Sequence, residues 1–129
     1  MADVLVDTTV WVDFFRSNNG AAGDLLDDLL GQDRAALCGI VEMEVYQGLK
    51  AEERESVESA FRSLPYVQTT RQDFIAAGML WNSMRKRGVT IPSSDCLVAT
   101  LCMNHGLSLL SNDRHFDAIM PDVLKRIKP

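Results

Sequence analysis

Residues 4–9 constrain the fold more than any other stretch of the sequence. The apolar run 4–6 leads directly into Asp7 and two threonines. A short apolar run without alternation is typical of a strand buried on both faces of a parallel sheet. Asp7 would then lie at the carboxyl edge of that strand, which is where open α/β sheets bind ligands. The same position also suits a helix N-cap, so this stretch alone leaves a ligand-binding role and a capping role equally open.

Strand and helix patterns alternate along the rest of the chain. Further short strands are predicted at residues 35–39, 66–68 and 107–110, and an apolar tail after residue 115 is expected to pack on the rim. This alternation favours a parallel sheet with helices on both faces. We therefore expect an α/β fold, a three-layer α/β/α sandwich around a central parallel sheet of about four or five strands. The predicted helices cover residues 8–16, 21–30, 40–49, 51–64, 72–87 and, opened by a serine cap, 93–105.

Length and composition are those of an ordinary globular domain. The 129 residues are 47% hydrophobic and 24% charged, which suits one domain, residues 1–129, with a real core. No apolar run approaches the roughly 20 residues that cross a bilayer, and no secretory signal is recognisable. We therefore expect a cytoplasmic protein without a membrane partner. Three cysteines, an odd number, fit small buried side chains in a reducing compartment.

The net charge of −5 restricts the possible partners. It argues against a nucleic-acid coat protein, which would be basic. It still allows an enzyme that acts on nucleic acid through acids gathered around a divalent cation. It also makes a basic partner segment plausible.

Four acids occupy places where the expected topology can bring them together. Asp7 and Asp113 end predicted strands. Asp95 lies in the first turn of the apolar helix, and Glu44, or alternatively Glu42, lies on the helix after the second strand. Clustered carboxylates repel one another, and burial makes each one harder to ionise. A hard cation such as Mg²⁺ or Mn²⁺ relieves both costs, so the pattern suggests metal-dependent phosphodiester hydrolysis. The alternative for Asp95 is simple stabilisation of its helix N-terminus.

Other chemistries have less support in the sequence. Cys102 and His105 show a C-x-x-H spacing, but no second pair completes a zinc site. A phosphate-binding glycine loop is missing, which makes a metal-dependent phosphatase of small substrates less favoured. His115 could assist catalysis, although a histidine in such a loop is more often simply exposed.

Four segments, in a fixed order and spacing, carry a resemblance to a known family. They read VLVDTTVWVDFF at 4–15, EVYQG at 44–48, IPSSDCLVAT at 91–100 and LSNDRHF at 110–116. Together they resemble the PIN domain family, and specifically the short VapC-type toxins of type II toxin–antitoxin systems. The resemblance spans essentially the whole chain and implies a PIN-like sandwich.

The resemblance also implies a metal site with four carboxylates. The matching acids are Asp7, Glu44, Asp95 and Asp113. Glu44 is favoured over Glu42 because the family glutamate precedes a glycine by four residues, as Glu44 precedes Gly48. Thr8 and Ser94, each beside a matched acid, would be supporting groups.

The last segment departs from the family pattern. His115 stands where many relatives carry an acid before the phenylalanine. The fourth ligand position varies in the family, so Asp117 or Asn112 could share the role of Asp113.

The activity that the resemblance implies is that of a Mg²⁺- or Mn²⁺-dependent endoribonuclease toxin, neutralised by a cognate antitoxin. RNA, the antitoxin and a second copy of the chain in a homodimer are the expected partners. Arg16, Lys50 and the basic run 85–87 are candidates to steer RNA, although such side chains more often only solubilise a surface. The alternative is a PIN-like module that binds RNA or protein without cutting.

Overall fold

A five-stranded parallel sheet organises the fold in the computed structural model, which describes residues 2–16, 20–119, 121 and 123–127. The strand order is β3-β2-β1-β4-β5, and every neighbouring pair is parallel. This confirms the expected α/β class and sheet. The strands are β1 (Val4–Val6), β2 (Ala35–Cys38), β3 (Tyr66–Val67), β4 (Ser108–Leu110) and β5 (Arg126–Ile127).

Strand β1 lies at the centre of the sheet and is fully buried. Val4, Leu5 and Val6 point alternately to opposite faces, and none of them is exposed, so helices cover both faces. The neighbours β2 and β4 pair with β1 through Val4↔Ala35 and Val6↔Leu110. The chain runs outward from β1 to β3 on one side and then returns to β4 on the other. The strand order therefore reverses between β1 and β4, and α/β sheets typically bind ligands outside the carboxyl ends of strands at such a point.

Six α-helices accompany the sheet in the described part of the chain. Helix α6 has eight buried residues in succession, as its apolar sequence predicts, and it packs most extensively against α5. No described helix has both the length and the apolar character that a bilayer span requires. The helices are α1 (Thr8–Phe15), α2 (Ala21–Gly31), α3 (Gly39–Gln47), α4 (Arg54–Arg62), α5 (Arg71–Lys86) and α6 (Ser93–His105).

A buried polar network fastens α5 to α6. Asp73, in the first turn of α5, accepts hydrogen bonds from the backbone and hydroxyl of Thr70, at 2.9 and 3.0 Å, and from Asn104 Nδ2, at 2.9 Å. His105 Nε2 lies 3.0 Å from the same carboxylate. Burial opposes ionisation, but hydrogen bonds from Asn104, Thr70 and His105 outweigh it and hold the pKa of Asp73 well below its usual range. The ionised aspartate therefore stabilises this helix pair.

The structure differs from the predicted elements in three places. The helix predicted over 51–64 begins as a separate 3₁₀ turn, Ala51–Glu53, because Glu53 folds back to accept the Lys50 backbone N–H. Helix α6 has no side-chain cap, and Ser93 is its first helical residue rather than its cap. The tail does bury apolar side chains, but it also adds β5 to the open edge of β4.

Candidate metal centre

Asp7 lies at the carboxyl end of β1, beside the end of β4. Its backbone N–H donates to Leu110 O at 2.9 Å, which extends the ladder between the two strands by one bond. The residue is 3% exposed, and its carboxylate accepts hydrogen bonds at Oδ2 from Ser111 Oγ, at 2.8 Å, and Thr9 Oγ1, at 3.2 Å. Asp7 occupies the N-cap position of α1, yet its side chain makes no capping hydrogen bond. The carboxylate is therefore held against Ser111, at the end of β4, rather than acting as the side-chain cap of α1.

The Asp7 carboxylate is held in a setting that disfavours its charge. Burial raises its pKa, and the charge of Asp113 raises it further. Hydrogen bonds from Ser111, the Thr8 backbone and Thr9 oppose this effect without cancelling it. Since Asp113 is close enough to act on Asp7, the ends of β1 and β4 form one electrostatic site.

Ser111 connects Asp7 to the loop that carries Asp113. Its hydroxyl donates to Asp7 and accepts the Asp113 backbone N–H at 2.9 Å. Asp113 Oδ1 in turn accepts the His115 backbone N–H at 2.9 Å and so caps the 3₁₀ turn Arg114–Ala118. Ser111 is itself buried, and this chain of bonds fixes the distance between the two aspartates.

Asp95 joins this site from the first turn of α6. The residue is 8% exposed and lies in the first turn of α6, so the alternative role of stabilising the helix N-terminus stays open. Burial raises its pKa to about 6; the His115 hydrogen bond opposes the rise, and the charges of Asp7 and Asp113 add to it. Asp7, Asp95 and Asp113, from three separate elements, are therefore mutually repelling neighbours.

His115 bridges two of these acids. Its Nδ1 lies 2.9 Å from Asp95 Oδ2 and 3.1 Å from Asp113 Oδ1. One possible ligand atom from each of the three residues lies within 4.8 Å of the others. The sequence left open whether His115 assists catalysis or is simply exposed; the structure shows a half-exposed side chain that also contacts both acids. The available signal was its position two residues after Asp113, where relatives carry an acid.

Glu44 approaches Asp7 through Thr8. Thr8 Oγ1 donates to Glu44 Oε1 at 2.9 Å, and Thr8 is the residue directly after Asp7. Burial, together with the charges of Asp7 and Glu44, raises the pKa of the Cys38 thiol to about 11 although backbone hydrogen bonds oppose it, so both acids lie near that thiol. Glu42 lies near Tyr66 instead: the pKa of Tyr66 is raised by burial and, in addition, by the charge of Glu42.

The remaining candidate residues differ from the clustered acids in their exposure or in the contacts they make. Asp117 is exposed and pairs with Arg126 Nη1 of β5, while Asn112 is exposed. Ser94 lines an apolar groove between α3, α5 and α6. Among the basic candidates, Arg16 Nη2 donates to a backbone oxygen at Gly48, at 3.2 Å.

The donor set of this site suits a hard divalent cation. The acids lie together at a buried edge of the sheet, and the pKa values of Asp7 and Asp95 are raised there. Keeping these carboxylates ionised is costly without a nearby positive charge. Mg²⁺ and Mn²⁺ prefer such oxygen ligands. The fold and this site together define an α/β protein with a cluster of acids at the point where the strand order reverses.

Comparison with known proteins assigns the chain to a family. The PIN domain model matches residues 4–120. Ribonuclease VapC11 of Mycobacterium tuberculosis is 32% identical over 121 residues, covering 90% of this chain and 90% of that protein. DNA-bound VapBC from Salmonella typhimurium superposes with a TM-score of 0.84 at 18% identity, covering 99% of this chain and 98% of that one. A toxin–antitoxin complex from Klebsiella pneumoniae gives 0.75 at 19% identity, covering 91% and 92%. The chain belongs to the PIN domain family.

Proposed function

We propose that the protein is a metal-dependent endoribonuclease toxin of a type II toxin–antitoxin system. The observation that carries the proposal is the convergence of Asp7, Asp95 and Asp113 at the edge between β1 and β4, with the pKa of Asp95 raised to about 6. The 32% identity to Ribonuclease VapC11 supports hydrolysis of RNA phosphodiester bonds. The similarity to a toxin–antitoxin complex supports a cognate antitoxin that neutralises the activity.

In this proposal Asp7, Asp95 and Asp113 hold Mg²⁺ or Mn²⁺, and Glu44 completes the site from α3. When bound, such a cation lowers the pKa of a coordinated water and polarises a phosphodiester oxygen. Ser111 and Thr9 hold the Asp7 carboxylate in place through hydrogen bonds of 2.8 and 3.2 Å. Pre-organisation of this kind favours cation binding because less rotamer freedom is lost when the site is occupied.

The chain's own side chains also determine which groups face RNA. Thr8 fixes the Glu44 carboxylate, so this acid stays beside Asp7 rather than turning to solvent. Asp95 and Asp113 lie where an RNA phosphate would approach the site, and that approach is repulsive until a cation offsets their charge. Binding of RNA is therefore expected to depend on the cation as strongly as cleavage does.

Partners and organisation follow from the same proposal. Residues 1–129 form one PIN domain that acts in the cytoplasm and pairs with a second copy in a homodimer. An acidic surface, with net charge −5, suits a basic segment of the antitoxin that covers the acidic site.

The test is an RNA cleavage assay with the purified protein, free of antitoxin. Structured RNA is incubated with Mg²⁺ or Mn²⁺, beside the variants Asp7→Asn and Asp95→Asn and a reaction with EDTA. Asp27→Asn, at an exposed position of α2, is the matched control. Cutting by the wild type and the control, abolished in both site variants and by EDTA, is the expected result. RNA binding without cutting by any form contradicts the proposal and favours the non-cleaving module.

A further inference from the structure

His115 contacts the acidic site although its side chain is half exposed. Its ring is 48% exposed, but Nδ1 points inward and lies between Asp95 and Asp113. The backbone holds it there, because its N–H donates to Asp113 Oδ1 and the next residue, Phe116, is 1% exposed in the core. These two contacts therefore hold the turn in place, with the imidazole against Asp95 and Asp113.

The separations around Nδ1 match those of adjacent ligands on one cation. Adjacent ligand atoms in an octahedral complex with bonds of about 2.1 Å are about 3 Å apart. Nδ1 lies 2.9 Å from Asp95 Oδ2 and 3.1 Å from Asp113 Oδ1. The same separations also allow hydrogen bonds, so distance alone does not distinguish a ligand from a residue that only orients the carboxylates.

A nitrogen ligand would change which metal ion the site prefers, and this preference can be measured. Mg²⁺ prefers oxygen ligands almost exclusively, whereas Mn²⁺ shares the preference for carboxylates but, as a transition metal, also accepts an imidazole nitrogen. An acid at this position would keep the site all-oxygen and would add one more negative charge to a cluster that already repels itself. A histidine contributes a ligand without that repulsion.

We propose that His115 binds the site's cation through Nδ1, beside Asp95 and Asp113, and that this mixed nitrogen–oxygen centre selects Mn²⁺ over Mg²⁺. The inference rests on the proposed metal-dependent function of the same site and specifies its ion. It predicts that the preference for Mn²⁺ depends on this side chain and is reduced when His115 alone is replaced by an acid.

Pulsed EPR of bound Mn²⁺ tests the ligand directly. A nitrogen bonded to Mn²⁺ gives a hyperfine coupling that an outer-shell residue does not, and labelling histidine with ¹⁵N assigns it. The chain has two histidines, so His105→Gln is the matched control: His105 sits in the Asp73 network between α5 and α6. The wild type and His105→Gln are expected to show the histidine coupling, and His115→Ala and His115→Asp are expected to lack it.

Affinities measured on the same samples test the selectivity. Mn²⁺ is titrated against the free-ion EPR signal, and Mg²⁺ is measured by competition. The ratio of the Mg²⁺ to the Mn²⁺ dissociation constant is expected to fall roughly tenfold in His115→Asp and to be unchanged in His105→Gln. Circular dichroism confirms that each variant is folded.

Three results separate this inference from the proposed function. Bound Mn²⁺ without histidine coupling, and with the same selectivity in His115→Asp, overturns the inference while leaving the metal-dependent nuclease intact. Histidine coupling in a protein that does not cut RNA supports the inference and contradicts the proposed function. Failure of the wild type to bind Mn²⁺ overturns the inference, and failure to bind either Mn²⁺ or Mg²⁺ overturns both.

Discussion

Replacing Asp95 with asparagine is expected to stabilise the metal-free protein. The pKa of Asp95 is about 6 in the folded chain, against an ordinary value of 3.8, because burial and then the charges of Asp7 and Asp113 outweigh the His115 hydrogen bond. At pH 7.5 the ionised carboxylate therefore costs about 3 kcal/mol of folding free energy. Asparagine removes this charge and weakens the His115 contact by about 1 kcal/mol. The net gain for Asp95→Asn is about 2 kcal/mol.

The direction of the Asp95 pKa shift also determines how the stability of the metal-free wild type depends on pH. A raised pKa means that the folded chain binds the proton more tightly than the unfolded chain does. This contribution to stability is fully present below 3.8 and is lost as the pH rises through about 6. The free energy of unfolding of the metal-free wild type should therefore rise by about 2 kcal/mol between pH 7.5 and pH 4.5. The advantage of Asp95→Asn should shrink over the same range.

Urea unfolding in EDTA measures both effects, with Asp73→Asn as the contrasting variant. Asp73 is also a buried aspartate, but hydrogen bonds from Asn104, Thr70 and His105 overcome its burial and lower its pKa. Its stabilising contribution is present above 3.8 and is lost at more acidic pH, so Asp73→Asn should lose about 2 kcal/mol at pH 7.5. If Asp95→Asn is destabilised as much as Asp73→Asn, or the wild-type profile is flat, the reasoning about a strained acidic site is refuted.

Three further substitutions test individual contacts. Ser111→Ala breaks the link between Asp7 and Asp113 and should weaken Mn²⁺ binding, measured by calorimetry, by about 10- to 100-fold. Ser63→Ala, at an exposed position, is the control and should leave Mn²⁺ binding unchanged. Thr8→Val frees Glu44 and should lower the rate of RNA cleavage with little change in melting temperature; an unchanged rate would contradict a role for this contact. Gly106→Ala should cost about 1 kcal/mol in urea unfolding, because φ is +67° at the end of α6; no loss would mean that the left-handed conformation is not maintained.

The sheet was largely predictable because its signals are local. The buried run 4–6 and the apolar helix α6 have patterns typical of a parallel sheet covered on both faces, and both predictions were confirmed. A sheet of four or five strands was expected, but the position of the fifth was not predicted, because Arg126 and Ile127 pair with β4 through backbone bonds that any sequence can make. Its position depends on the open edge of β4, which is a property of the folded sheet.

The candidate site was less predictable because it depends on contacts between distant residues. Helical periodicity places Glu42 and Glu44 on different faces without saying which face meets Asp7, and the choice of Glu44 came from the family resemblance. The structure adds that Glu44 accepts a hydrogen bond from Thr8, whereas the charge of Glu42 raises the pKa of Tyr66. The role of all four acids as metal ligands stays a prediction.

His115 shows most clearly what a linear reading misses. Its contact with Asp95 spans 20 residues of sequence and depends on the turn that Asp113 caps. A histidine in a polar loop carries no periodicity, so only the folded chain places its ring against two acids.

The most direct test of the central claim is to locate Mn²⁺ by anomalous scattering in crystals of the protein grown with the ion. The account predicts an anomalous peak within about 2.5 Å of carboxylate oxygens of Asp7, Asp95 and Asp113, between the carboxyl ends of β1 and β4. A well-ordered site without a peak, or Mn²⁺ bound only at another acidic surface, would contradict it.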